Sequence, residues 1–261
     1  MKKFFYLILG FLIFCNGSYA QNIKFIQATD VHLTKYNSQY LKNFISDVND
    51  KYSDVNFIVF TGDNINNANP EDLETFLSIL KQSKIKTYVV MGNHDLYKSK
   101  GMSKDYYMRT VKKNLGHYHS SDPNYVFKKG NIVFVAMNGV KEVIPGSCGY
   151  YREAELTWLD KMLSKYKNKK VVILQHFPLL LNETKSHNLY KKDEYEKILA
   201  KHDNVIGVVS GHYHENRELK DGNIYHIVTK NFSDNKYYKL IEVNDKNDLI
   251  YTTLVENEQI K

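Results

Sequence analysis

Five short apolar runs in this chain each end in a cluster of histidine, carboxylate or amide side chains. Apolar runs of this length predict buried strands, and ligands of α/β proteins collect at the carboxyl ends of strands. One histidine at a strand end is more often a structural residue with its hydrogen bonds satisfied. Five such clusters together predict one shared site, made of Asp30 and His32, Asp63, Asn93 and His94, His176, and His212 and His214.

The segments between these clusters alternate between strand and helix patterns. Strands are predicted at residues 23–29, 55–61, 87–91, 171–175 and 204–210. Helices are predicted at 38–51, from a cap at Asn69 and Pro70 onward, at 103–114 and at 153–166. Residues 125–137 have a hairpin pattern, and 224–255 alternate like antiparallel strands. This order predicts a mixed-sheet α/β sandwich.

The first residues have the pattern of a secretory leader. Two lysines precede the apolar run 4–14, and small residues follow at the spacing that signal peptidase reads. A membrane anchor is the alternative, but the run is short for a bilayer span. A lipoprotein through Cys15 is disfavoured because bulky Phe14 precedes it. We therefore expect a signal peptide over residues 1–20, cleavage after Ala20, a mature domain over 21–261 without a membrane anchor, and secreted or periplasmic localisation.

Charge and cysteine content narrow the classes of partner. Loss of the two leader lysines lowers the formal net charge from +7 to +5. The lysines are scattered and there are only three arginines, so we expect no stable nucleic-acid partner. A basic balance favours attraction of a small anionic substrate. Cys148 alone remains after cleavage, which excludes an intrachain disulfide.

The donor set at the strand ends indicates a metal site. Carboxylates, imidazoles and an amide without thiolates suit divalent transition metals, and the set exceeds what one ion needs. Two ions bridged by a carboxylate would use all of it and would acidify a bridging water for attack on phosphorus. The residues thus predict a dinuclear site for an in-line displacement at phosphorus.

The same residues form a motif series that resembles the calcineurin-like metallophosphoesterases. The series is Asp30-x-His32, Gly62-Asp63, Gly92-Asn93-His94-Asp95, His176 and Gly211-His212-x-His214. The match spans roughly residues 24–229 and is most similar to the small bacterial phosphodiesterase branch, which includes cyclic-nucleotide phosphodiesterases. The resemblance implies an α/β sandwich of two mixed β-sheets flanked by helices, with a dinuclear metal site at the strand ends.

Roles for individual residues follow from the resemblance. It implies that one metal is held by Asp30, His32 and His214, the other by Asn93, His176 and His212, and that Asp63 bridges them. It implies that His94 faces the substrate and protonates the leaving oxygen, as an imidazole can near neutral pH. The expected cofactors are two divalent ions, with manganese, iron and zinc left open. The expected enzyme is an exported phosphodiesterase, acting by attack of a metal-bridging hydroxide on a small phosphoester such as a nucleotide.

The chain departs from the family pattern at three places. Asn66 replaces the tyrosine of purple acid phosphatases and the acid of protein phosphatases, three residues after the bridging Asp63. An asparagine can still hydrogen-bond His94, but it does not raise the imidazole pKa as a carboxylate does. Residues 64–67 also lack the arginine of protein phosphatases, and the histidine after His176 found in many relatives is replaced by Phe177. Protein phosphatase activity is therefore disfavoured.

Three alternatives to a phosphodiesterase remain open from the sequence. They are a phosphomonoesterase with the same site, a non-catalytic scaffold of the same fold, and a nuclease. Substrate specificity is expected to reside in the loops 97–125 and 138–151 and in the segment 179–191, without assigned binding residues. Weaker candidates for substrate contact are Tyr150, Tyr151, Arg152, His117 and His187.

Overall fold

The computed structural model of the chain describes residues 22–179, 187–232, 237–244 and 247–256. The expected leader and its cleavage site lie outside these residues. The described part contains five α-helices: α1 (Ser38–Lys51), α2 (Pro70–Leu80), α3 (Lys104–Asn114), α4 (Glu153–Lys165) and α5 (Lys192–Leu199). None of the helices in these ranges is both long enough and apolar enough to span a bilayer.

One mixed sheet has five strands. In chain order they are β1 (Asn22–Ala28), β2 (Phe57–Thr61), β3 (Thr87–Val90), β12 (Tyr237–Asn244) and β13 (Ile250–Glu256). Their spatial order is β13-β12-β1-β2-β3. The strands β1, β2 and β3 are parallel, and β12 is antiparallel to both of its neighbours. The carboxyl ends of the three parallel strands therefore lie at one edge.

The second mixed sheet has six strands. They are β4 (Tyr125–Lys129), β5 (Ile132–Ala136), β7 (Lys170–Leu174), β9 (Val205–Ser210), β10 (Arg217–Asp221) and β11 (Ile224–Val228). Their spatial order is β10-β11-β9-β7-β5-β4, with a parallel centre and antiparallel edges. The two-residue strands β6 (Gly149–Tyr150) and β8 (Leu189–Tyr190) form a separate pair.

Aromatic side chains build the core between the two sheets. The centroid of the Phe134 ring on β5 lies 4.8 Å from that of Phe57 on β2 and 5.5 Å from that of Phe25 on β1. Burial of each such side chain stabilises the fold by about 1.5–3 kcal/mol. Because side chains alternate across a strand, Phe60 points to the opposite face, where Phe76 of α2 packs against it at 5.3 Å. Helices thus flank the paired sheets, and the expected sandwich of two mixed sheets is confirmed.

Local signals in the sequence account for most element boundaries. Helix α1 has the bounds that its periodicity predicts. The Asn69 side chain caps α2 by accepting from the N–H groups of Glu71 at 2.8 Å and Asp72 at 3.4 Å. The Ser103 hydroxyl caps α3 by accepting from Tyr106 N–H at 3.1 Å. The hairpin of β4 and β5 also forms as predicted.

Three features differ from the sequence prediction. The second strand begins at Phe57 rather than at residue 55. The tail is not wholly antiparallel, because β11 pairs in parallel with β9. Helix α5 and strand β10 were not predicted. The eight residues of α5 include five with charged side chains, so its apolar stripe is short, and β10 exposes most of its residues.

Candidate metal centre

The carboxyl ends of five strands from both sheets meet at one edge of the sandwich. Loops after β1, β2 and β3 approach loops after β7 and β9, as the strand-end clusters predict. Three groups of side chains lie there, and within each group the potential ligand atoms are no more than 4.8 Å apart. The groups are Asp30, His32 and His214; His32, Asp63 and His94; and Asp63, His176 and His212. The groups overlap through shared members, so they describe two adjacent sites rather than three separate ones.

The first site gathers around Asp30. Its Oδ1 lies 3.3 Å from His214 Nε2 and 4.0 Å from His32 Nε2, and these two nitrogens lie 3.5 Å apart. Its Oδ2 accepts hydrogen bonds from the Thr29 hydroxyl at 2.7 Å and from His212 N–H at 2.9 Å. Oδ1 is buried and forms no hydrogen bond with any described residue. A buried carboxylate oxygen without a donor is costly unless a cation compensates it.

The second site gathers around His176. Its Nε2 lies 3.2 Å from Asn93 Oδ1, 3.2 Å from His212 Nδ1 and 3.4 Å from Asp63 Oδ2. The same Asp63 oxygen lies 3.8 Å from His32 Nε2, which belongs to the first site. Asp63 is therefore placed between the two sites, in the position expected of a bridging ligand.

Backbone carbonyls set the tautomers of two histidines. Nδ1 of His176 donates to Thr61 O at 2.9 Å, and Nε2 of His212 donates to the carbonyl of His187 at 3.1 Å. In the neutral rings the other two nitrogens then carry lone pairs, and these face each other at 3.2 Å. Two nitrogen ligands of the same divalent ion lie about 3–3.4 Å apart when each metal–nitrogen distance is about 2.0–2.1 Å. The arrangement fits a metal.

Neighbouring charges and burial shift the pKa values of the side chains at this site. Burial alone would lower the pKa of His176, but Asp63 and Asp30 together raise it to about 9. Burial and the neighbouring His176 lower the pKa of His212 to about 4. Burial would raise the pKa of Asp63, yet His176 holds it below its ordinary value. Without a bound cation, His176 is therefore protonated at neutral pH.

Much of this site is built on strained backbone. Five of the eight non-glycine residues with positive φ in the described ranges are expected metal ligands. Left-handed conformations cost about 1–3 kcal/mol each and cluster at functional sites. The angles are 53° for Asp30, 45° for His32, 50° for Asp63, 70° for His212 and 56° for His214. A Cβ at Gly92 would overlap the Asp63 carboxylate, so this position requires glycine.

The buried Asp95 carboxylate positions two loops that carry expected ligands. Asp95 accepts from Gly92 N–H at 2.7 Å and from Ile65 N–H at 2.9 Å, which ties the loop after β3 to the loop after β2. Burial, together with Asp63, raises the pKa of Asp95 to about 8. Asp95 is the last residue of the Gly-Asn-His-Asp motif, so the motif in the sequence already pointed to this position.

Gln27 joins the two sheets directly beneath the site. Its amide donates to Thr61 Oγ1 at 2.8 Å and to Ser210 O at 2.9 Å, and its Oε1 accepts from Thr229 Oγ1 at 2.5 Å. Ser210 ends β9, directly before the loop that carries His212 and His214. No sequence signal distinguished this glutamine from an ordinary strand residue.

The three other histidines named as candidates from the sequence have different surroundings. His94 Nδ1 donates to the backbone carbonyl of Asn66 at 2.7 Å, so a carbonyl rather than the side-chain amide orients the ring. The His187 ring lies 5.7 Å from His212, at the edge of the site. His117 instead packs 5.0 Å from Tyr88.

The aromatic and basic candidates at residues 150–152 each have a partner within the protein. Tyr151 is buried against Tyr195 with ring centroids 5.1 Å apart. Tyr150 lies 5.7 Å from Tyr190. Arg152 is engaged with Glu155 at the start of α4. Residues 180–186 of the predicted specificity segment lie outside the described residues.

Comparison with known proteins places this geometry in one family. The sequence profile of the calcineurin-like phosphoesterases matches residues 23–216. A probable glycerophosphodiester phosphodiesterase of Arcobacter nitrofigilis is 26% identical over 72% of this chain and 71% of its own length. A 3′,5′-cyclic-nucleotide phosphodiesterase of Nostoc sp. is 25% identical over 78% of this chain and 76% of its own length.

A solved structure shows the same fold. The dimetal phosphatase from Danio rerio superposes with a TM-score of 0.68 at 15% identity, over 90% of this chain and 98% of that chain. The profile covers most of the chain, and the fold and the clustered ligand groups agree with it. The chain therefore belongs to the calcineurin-like phosphoesterase family and is a metal-dependent hydrolase of phosphoric esters.

Proposed function

We propose that the mature protein is an exported phosphodiesterase that uses two divalent cations. Asp30, His32 and His214 would hold one ion, and Asn93, His176 and His212 the other, with Asp63 between them. The observation that carries the proposal is the placement of Asp63 Oδ2 at 3.4 Å from His176 and 3.8 Å from His32. One carboxylate oxygen thereby faces ligands of both sites.

The ions and the side chains have separate tasks. Bound cations would supply an acidified water as nucleophile and positive charge for the phosphoryl oxygens. His94 keeps its ring fixed because Nδ1–H is held by Asn66 O at 2.7 Å. Nε2 of the protonated ring then donates its proton to the departing alkoxide. The backbone N–H of His94 is itself held by Asp63 Oδ1, so the proton donor is aligned with the expected bridge.

Diester preference rests on the two relatives above, whose names state phosphodiesterase activity. The test compares hydrolysis of bis-nitrophenyl phosphate and nitrophenyl phosphate by residues 21–261 with added Mn²⁺, Fe²⁺ or Zn²⁺. We expect the diester to be the better substrate and Asn93→Ala to remove turnover together with metal from the second site. His119→Ala is the matched control, because that exposed histidine lies outside the site.

Each other outcome has a defined meaning. Preference for the monoester would assign a phosphomonoesterase with the same residues. Turnover that survives Asn93→Ala would contradict the proposed site. Bound metal without turnover of either ester would contradict diesterase activity and would favour the scaffold alternative.

Export is proposed from the leader pattern over residues 1–20 alone. Its test is independent of catalysis. The full chain is expressed in a host with a signal peptidase, and the N-terminus of the processed protein is determined by mass spectrometry. We expect Gln21 as the first residue of protein recovered outside the cytoplasm, whereas retained, unprocessed chain would contradict export.

A further inference from the structure

A cavity lies next to the candidate metal centre, and His94 and Asn93 are part of its lining. Its volume is about 310 Å³, which is at the small end of the range for sites of small ligands. Three loops line it, one after β2, one after β3 and one between β5 and α4. The polar lining comprises Asn66, Asn67, Asn93, His94, Lys100 and Ser147.

Several hydrogen-bond donors of the lining have no acceptor among the described residues. The side chains of Asn66, Asn67 and Ser147 form no hydrogen bond with any described residue, and Lys100 forms no ion pair within the same ranges. No carboxylate lines the cavity. Amide, hydroxyl and ammonium donors without a local acceptor favour an anionic occupant.

Lys100 is held at this cavity by its surroundings. Its Nζ lies 5.4 Å from the centroid of the Tyr97 ring, and a hydrogen-bonded turn from Tyr97 to Met102 carries it. Glu142 ties that turn to the opposite loop, because its carbonyl accepts from Lys98 N–H at 2.7 Å and its Oε2 accepts from Lys104 N–H at 2.6 Å. The cavity walls are thus joined before any ligand binds.

A second cation lies at the rim. Lys141 Nζ is 3.7 Å from the point that a Cβ at Gly146 would occupy, and Gly146 lines the cavity. Lys100 and His94 therefore line a space without a carboxylate in its lining, and Lys141 lies near its rim at Gly146. An anion there would be attracted at short range even when salt screens the distant charges.

We propose that this cavity is a subsite for a second anionic group on the leaving alcohol of the substrate, with Lys100 as the specificity-determining residue. The inference rests on the proposed function, because His94 is the group that protonates the leaving oxygen. The preferred substrates are then small phosphoesters whose leaving alcohol carries a carboxylate or a further phosphate.

Three chromogenic diesters that differ in one substituent test this subsite. Each is a methyl phosphodiester of a 4-nitrophenol that carries, at ring position 3, a carboxamide, a carboxylate or a phosphonomethyl group. The measured quantity is the ratio of kcat/KM for each anionic substrate to kcat/KM for the neutral carboxamide. Comparing ratios between variants removes differences in intrinsic reactivity of the leaving groups.

We expect Lys100→Ala to lower this ratio about three- to tenfold, as for one exposed charge-assisted contact, and Lys100→Glu to lower it further. Lys98→Ala is the matched control, since this exposed lysine in the same turn does not line the cavity, and it should keep the wild-type ratio. A larger ratio for the phosphonate than for the carboxylate would identify phosphate as the second anion, and the reverse would identify a carboxylate.

The kinetic measurements distinguish failure of this inference from failure of the proposed function. Equal ratios in the wild type, Lys100→Ala and Lys100→Glu, with turnover that still requires Asn93, would overturn the subsite and leave the phosphodiesterase intact. Absence of Asn93-dependent turnover for all three diesters would overturn both.

Discussion

Oδ1 of Asp63 accepts a hydrogen bond from the backbone N–H of His94 at 2.8 Å. The other oxygen of the same carboxylate faces the histidines of both proposed metal sites. One side chain therefore fixes the position of the expected proton donor and joins the two sites. Loss of the whole side chain would therefore affect metal binding and the alignment of His94 together.

Replacement of Asp63 by asparagine separates these two tasks. An amide oxygen still accepts from His94 N–H but carries no charge for two cations. We expect Asp63→Asn to lower the bound metal below two ions per chain and to reduce kcat/KM by more than the roughly 10- to 100-fold typical of outer-shell partners. Elemental analysis and kinetics measure both effects, with the exposed Asp203→Asn as control. Full metal content with near-normal activity would contradict the bridge.

The role of His94 as a proton donor predicts a dependence on the leaving group. Loss of a general acid costs about 10²–10⁴-fold in rate, but a nitrophenolate leaves readily without a proton. We expect His94→Ala to reduce kcat far more for an alkyl phosphodiester than for a nitrophenyl one, with metal content unchanged. Equal losses for both leaving groups would show that His94 stabilises charge without transferring a proton.

Metal affinity is predicted to rise with pH. Burial opposes protonation of His176, but Asp63 and Asp30 raise its pKa to about 9 in the metal-free site. A bound ion needs the neutral imidazole, so below that pH a proton must leave when the metal enters. The apparent association constant should therefore increase by up to about tenfold per pH unit between about pH 7 and 8.5. Calorimetry in two buffers of different ionisation enthalpy counts the released proton, and affinity independent of pH would refute the assignment.

Gln27 is predicted to position the site by joining the sheets. Gln27→Leu leaves Ser210 O and two buried hydroxyls without their partner, which should lower the free energy of unfolding by about 3 kcal/mol. It should also weaken metal binding by about 10- to 100-fold. Denaturant unfolding and metal titration measure the two effects, with Gln39→Leu on the exposed face of α1 as control. Loss of stability with unchanged metal affinity would leave Gln27 a purely structural residue.

The general position of the site could be predicted because apolar runs mark strands, and parallel strands bring their carboxyl ends together. Asp30, His32, Asp63, His176 and the other expected ligands therefore meet as the sequence indicates. Capping by Asn69 and Ser103 was predictable for a similar reason, because these contacts are local in the chain.

The remaining features depend on contacts between distant segments. The backbone carbonyls of Thr61 and His187 select the tautomers of His176 and His212. Every residue has such a carbonyl, so the sequence does not indicate which ones accept these hydrogen bonds. The left-handed backbone at the ligands is imposed by the assembled loops against local preference. Tyr151 was a weak candidate for substrate contact, and its ring is buried against Tyr195 of α5, a helix whose pattern was too weak to predict.

Each proposed ion draws ligands from loops of both sheets. The first set begins with Asp30 after β1 and is completed only by His214 after β9, and the second joins Asn93 after β3 to His176 and His212. Neither set is complete in a nascent chain that ends before the loop after β9, so loading of both ions must follow synthesis of the chain through His214. The ions would then act as removable cross-links between two halves of the sandwich, and their release would loosen the docking of one sheet on the other.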